Sequence, residues 1–156
     1  NCGEYYSICG SSSRSERLNG FQQALHESSQ APTATSFLRD RTPSSPKQTV
    51  DILEQITQIA ELRSKYPIGL FIDSDSAALT ALGYFNNRGL KVGEKVMLVG
   101  YNDEFYGRFS SPGMTTIRQP FYQMGHIAMT KLLRMLNGYR EQSELLIPEL
   151  IVRGTA

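Results

Sequence analysis

Apolar and polar positions fall in alternating blocks along this chain. Ile68–Ile72 is a short apolar run interrupted only by Gly69, and Asp73, Ser74, Asp75 and Ser76 follow at once. Those four are residue types that cap a helix and hold its first N–H groups. Ala78, Leu79, Leu82 and Phe85 then recur at helical spacing, and Gly89 stands where a left-handed helix end is wanted. A second apolar run, Val96–Val99, leads into the polar turn Tyr101-Asn102-Asp103. Strand, helix and strand within this span predict a βαβ unit of a parallel sheet. The two strand segments read as continuous apolar runs, which predicts burial on both faces.

The flanking segments repeat the alternation. Tyr5–Cys9 reads as a first strand, followed by the polar turn Gly10–Ser13. Ser13-Arg14-Ser15-Glu16 has the form of a capping box, and Leu18, Phe21 and Leu25 give the following helix an apolar stripe to about Ser28. A loop with Pro32 precedes a strand at Thr35–Arg39. Thr42–Pro46 is a turn, and a helix from Pro46 to about Lys65 carries Leu53, Ile56 and Ala60 on one face, widened by Ile52 and Ile59. Tyr66-Pro67 stops it. Beyond the central unit, Glu104–Gly113 reads as an irregular loop and Met114–Arg118 as a short strand. Pro120 opens a helix that ends near Asn137-Gly138, and a last strand runs from Leu145 to Val152 across Pro148. The expected fold is a three-layer α/β/α arrangement around a mostly parallel sheet. Four polar turns, at Gly10–Arg17, Asp40–Ser45, Asp73–Ser76 and Tyr101–Asp103, would converge on the carboxyl edge of that sheet, where ligands bind in such folds.

Size and charge narrow the picture. A chain of 156 residues with 40% hydrophobic content buries one ordinary core. The net charge is +1, and Lys and Arg form no run, so the chain shows no basic surface for DNA and no attraction to a membrane. No apolar stretch approaches the ~18–20 residues that cross a bilayer. Cys2 and Cys9 fit no metal spacing and read as reduced structural thiols, which points to the cytoplasm. His26 and His126 have no partner at metal spacing and no nucleophile to serve. No dinucleotide fingerprint, nucleophile elbow, phosphate-binding Walker loop or H-E-x-x-H occurs. Catalysis, cofactors and metals are therefore not expected.

Several motifs carry a resemblance. The ordered patterns D-S-D-S-A-A-L-x-A-L, N-R-G-L-K-V, V-M-L-V-G-Y-N-D and M-T-T-I-R-Q-P-F resemble the effector-binding core of LacI/GalR-type transcriptional regulators, a fold of the periplasmic-binding-protein-like type I. The resemblance implies that residues 1–118 form most of the C-terminal subdomain of that core. Residues 119–143 would cross as a helix to the N-terminal subdomain, and 144–156 would return. The helix-turn-helix that reads operator DNA lies outside this sequence, and a start at Asn1 rather than Met reads as an excised piece. A small-molecule effector, a homodimer and operator DNA are the implied partners, with no membrane.

The resemblance also implies site residues. Arg17, in Arg17-Leu18-Asn19-Gly20-Phe21, matches the arginine that reaches into the effector cleft, and Arg14 is a second candidate. Ser74 stands where the family usually has Asn; Asp75 follows it, either touching effector or capping its helix. Asn102 replaces an Asp that often accepts hydrogen bonds from sugar hydroxyls, which turns the expectation from a neutral sugar towards a sugar derivative with its own charge, such as a sugar phosphate. Phe121 would line the cleft or sit in the core. Leu79, Leu82, Tyr101, Phe105 and Tyr106 are the expected dimer contacts. The apolar breadth of Pro120–Asn137 exceeds what one sheet face covers, so this helix is expected to pack back on the sheet or against a second copy. A solute-binding protein of a sugar transporter, which shares the fold, is the alternative reading.

Overall fold

The structure, a computed structural model, describes residues 4–9, 16–28, 34–38, 45–62 and 66–156, with residues 9, 34–38 and 62 as main chain. The elements are β1 (Glu4–Cys9), α1 (Glu16–Glu27), β2 (Ala34–Leu38), α2 (Pro46–Leu62), β3 (Ile68–Ile72), α3 (Asp75–Asn87), β4 (Val96–Tyr101), α4 (Phe105–Arg108), β5 (Thr115–Arg118), α5 (Phe121–Leu136) and β6 (Glu149–Ile151). They form one six-stranded sheet in the order β2-β1-β3-β4-β5-β6. The first five strands pair in parallel and β6 runs antiparallel to β5, so the expected mostly parallel α/β sheet is present.

Register decides what each face carries. Tyr6 pairs with Leu70, Ile8 with Ile72, and Leu70 with Leu98, so these side chains share one face. There they join Ile52, Leu53 and Ile56 of α2 and Ala78, Ala81 and Phe85 of α3 in one buried cluster. Each large side chain taken out of water there contributes about 1.5–3 kcal/mol. The opposite face carries Tyr5, Phe71, Met97, Val99, Tyr101 and Ile117, and α1 lies against it through Phe21, stacked 6.0 Å from Phe71.

Four expectations change. Strand β4 is not buried on both faces: Val96, Leu98 and Gly100 are buried while Met97, Val99 and Tyr101 stay half-buried. Helix α3 packs on the first of these faces, while α1 reaches the second through Arg17 on Tyr101. The segment expected as irregular from Glu104 to Gly113 contains the one-turn helix α4, whose Gly107 is buried against Met114. The last strand is shorter than Leu145–Val152, because Pro148 has no N–H to give a ladder and pairing begins at Glu149. Leu145 is 96% exposed. Finally, α5 does not pack back on the sheet; none of its residues is buried. The turn at Gly10–Ser13, the capping box up to Ser15, the turn at 39–44 and the end of α2 near Lys65 lie outside the described residues.

Candidate functional site

The carboxyl ends of β3, β4 and β5 and the start of α1 meet at one edge of the sheet. Arg17 is the second residue of α1, where the helix dipole opposes a positive charge. Two contacts offset that cost. Its Nη1 donates to the carbonyl of Asp73 at 3.3 Å, and the guanidinium carbon lies 3.8 Å from the centre of the Tyr101 ring. Arg17, Phe21, Phe71, Tyr101 and Ile117 enclose a largely apolar cavity of about 290 Å³.

On the other side of Tyr101, a second cavity of about 220 Å³ lies between the sheet edge and α5. It is lined by Tyr101, Gln119, Pro120, Met124, Leu145 and Pro148, among others. The Tyr101 ring therefore borders both cavities. Tyr101, expected both in a polar turn at the ligand edge and as a dimer contact, lies at this edge.

After β4 the chain turns sharply on its way into α4. Asn102 has φ 109° and Asp103 φ 55°, in the left-handed region where Asn and Asp are the best-tolerated residues after glycine. The Asn102 N–H donates to the carbonyl of Ile117 at 2.8 Å, and its Oδ1 accepts from Gln119 Nε2 at 2.7 Å. Among the described residues its Nδ2 has no protein partner, so both N–H donors of the amide remain for a ligand. Gln119 belongs to the M-T-T-I-R-Q-P-F motif but is not among the site residues the sequence implies. It stands immediately before Pro120, where the chain leaves β5.

Ser74 is half-exposed, with Oγ 3.0 Å from Ser76 Oγ, and it makes no side-chain cap to α3. Asp75 is different. It is 0% exposed, accepts from the Glu104 N–H and from Thr116 Oγ1, each at 2.7 Å, and braces α3 against the β4–α4 turn and β5. Gly100 makes room for this carboxylate, since a Cβ there would lie 2.2 Å from Asp75 Oδ1. Asp75 is therefore an internal brace, neither a helix cap nor a group that reaches a ligand.

Phe121 is exposed at the head of α5 and lines neither cavity. Arg14 lies outside the described residues. Of the expected dimer contacts, Leu82 is a core residue and Leu79 packs half-buried against the core. Phe105 and Tyr106 are exposed by 67% and 74% and cluster with the equally open Phe109, ring centres 5.7 and 4.9 Å from Phe105. Among the described residues no three His, Cys, Asp or Glu gather as metal ligands, and no helix is long and apolar enough to cross a membrane.

Comparison with known proteins gives this edge a context. A family model for a periplasmic binding protein-like domain matches residues 7–156. The chain is 38% identical over 91 residues to the HTH-type transcriptional repressor CytR of Escherichia coli, a match covering 57% of this chain and 27% of that protein. It is 31% identical over 144 residues to the HTH-type transcriptional repressor PurR of Actinobacillus pleuropneumoniae, covering 88% of this chain and 40% of that protein. Among solved structures, a lac repressor dimer bound to operator and the anti-inducer ONPF superposes with a TM-score of 0.77 at 25% identity, covering 99% of this chain and 53% of that one. The chain thus spans less than half the length of these two curated relatives.

Proposed function

Because the chain belongs to the periplasmic binding protein-like domain family, in the form found in LacI/GalR-type regulators, we propose that it is the effector-sensing and dimerising part of a cytoplasmic DNA-binding repressor. The effector is a sugar or sugar derivative held in a cleft whose floor is the sheet edge described above. The observation that carries this reading is the convergence of Arg17, Tyr101 and Asn102 with Gln119 at the ends of three parallel strands. A guanidinium fork, an amide donor and an aromatic face are what a polyhydroxylated, partly charged ring needs for recognition. Residues 1–118 then form one lobe, 119–143 reach into a second, and 144–156 return. Ligand binding favours one orientation of the lobes by its differential affinity for the two, and so changes the spacing of paired DNA readers.

The relatives named above are repressors, which favours this reading over a transporter's solute-binding protein and over an enzyme. The test uses the intact regulator on DNA upstream of its own gene. Fluorescence anisotropy at fixed salt, with a panel of sugars and sugar phosphates, should find one compound that releases the DNA. Arg17→Ala should blunt that release and leave DNA binding intact. DNA binding indifferent to every compound, or no DNA binding at all, overturns the reading.

A further inference from the structure

One carboxylate holds three arginines. The side chain of Asp103 is 1% exposed, and both its oxygens are used. Oδ1 accepts from Arg153 Nη2 at 2.6 Å; Oδ2 accepts from Arg118 Nε at 2.7 Å and faces Arg108 Nη2 at 3.1 Å. The three cations come from three places in the chain. Arg108 ends α4, Arg118 is the last residue of β5 before the chain leaves for α5, and Arg153 lies just past β6, where the chain returns. Arg153 is tied down further by Nη1 to the Met114 carbonyl at 2.6 Å and by its N–H to Thr115 Oγ1 at 2.9 Å.

Between these points, residues 119–148 form an arm with little hold on the sheet. Its helix has no buried residue. The arm is joined to the body by the three-pair ladder Thr116↔Ile151, Ile117↔Leu150 and Arg118↔Glu149 and by Gln119 on Asn102, and the chain past β6 is held by Gly154 N–H on the Gly113 carbonyl and by Thr155 on Leu98 and Thr115. Strand β5 is also paired with β4, but β6 is a three-residue edge strand with β5 as its one ladder partner. Asp103 pins its outgoing and returning strands to one point, next in sequence to Asn102.

We infer that Asp103 is a positioning residue, the fastening that sets the direction in which the α5 arm leaves the sheet. It acts through Arg118 and Arg153 and touches no ligand itself. Charge suits it to the task. Without the carboxylate three guanidiniums would face one another with no counter-charge between them, so the clustering of these segments depends on it. The inference goes beyond the effector reading and does not depend on it.

Amide hydrogen exchange on this chain tests it without any ligand. In Asp103→Asn, peptides covering 115–119 and 149–155 should exchange about tenfold faster, while those of α2 and α3 keep their protection. Arg118→Gln, at a half-exposed side chain, reads the same local loss should the first variant fail to fold, and Arg118→Lys should restore most of the protection. Glu149→Gln serves as a control, because its contact with Arg118 is exposed and long at 3.5 Å; it should exchange like the parent chain. Unchanged exchange in Arg118→Gln, or acceleration spread evenly through α2, α3 and the arm, would overturn the assignment.

Discussion

Two aspartates show how neighbourhood separates roles that residue type leaves joined. Asp75 looks like a cap or a ligand contact in the sequence, because its future partners, Glu104 and Thr116, are 29 and 41 residues away. Only the register that sets Gly100 beside Thr116 brings these partners to it. Asp75→Ala would leave a buried N–H and a hydroxyl without acceptors, so thermal unfolding should show a loss of roughly 2–4 kcal/mol. Ser74→Ala, beside it but half-exposed, should cost under about 0.5 kcal/mol. For Asp103, burial alone would raise the carboxyl, but hydrogen bonds from Arg153 and Arg118 and the charges of Arg153 and Arg108 hold it below the ordinary value of 3.8. Its folded pKa lies below its unfolded one, so its contribution is complete above about pH 4 and is lost as pH falls through the folded value. The stability gap between the parent chain and Asp103→Asn should therefore close on acidification from pH 5 towards pH 2.

Among the elements, apolar periodicity found most of what packs. Strand β3 begins and ends where its apolar run does, and α2 buries Leu53, Ile56 and Ala60 as its stripe requires. Leu53→Ala should cost about 2–5 kcal/mol in denaturant unfolding, the range for a core leucine. Elements escaped notice where tertiary contact outweighs pattern. A single turn such as α4 has too few residues to show a period, and it is held by Asp75 and by Gly107 packing on Met114. Strand β4 reads as an unbroken apolar run, yet its two faces differ because α2 and α3 gather on only one of them. In the candidate site, Arg17 and Asn102 were legible because each stands in a motif. Tyr101 and Gln119 stand in quoted motifs as well, but that Tyr101 borders both cavities and that Gln119 donates to Asn102 emerge only where separate strands end side by side.

At the scale of the whole molecule, the exposed apolar side chains among the described residues gather in three places: α5, the return segment with Leu145, Ile147, Leu150 and Val152, and the cluster of Phe105, Tyr106 and Phe109. Exposed aromatic clusters of this kind mark interaction surfaces more often than solvated ones. In the proposed account the α4 cluster meets its counterpart in a second copy. Phe105→Ser with Tyr106→Ser should then shift sedimentation of the intact protein from dimer towards monomer while leaving its far-UV circular dichroism unchanged. An unaltered dimer would place the interface elsewhere.

The central claim is that the edge formed by Arg17, Tyr101, Asn102 and Gln119 binds a small sugar-like effector. Isothermal titration of the intact protein, first with the sugar and sugar phosphate panel and then with Arg17→Ala, tests it most directly. The account predicts saturable binding of one compound, weakened about tenfold or more in Arg17→Ala, as expected for losing a charge-assisted hydrogen bond. Binding that is indifferent to Arg17→Ala would contradict it.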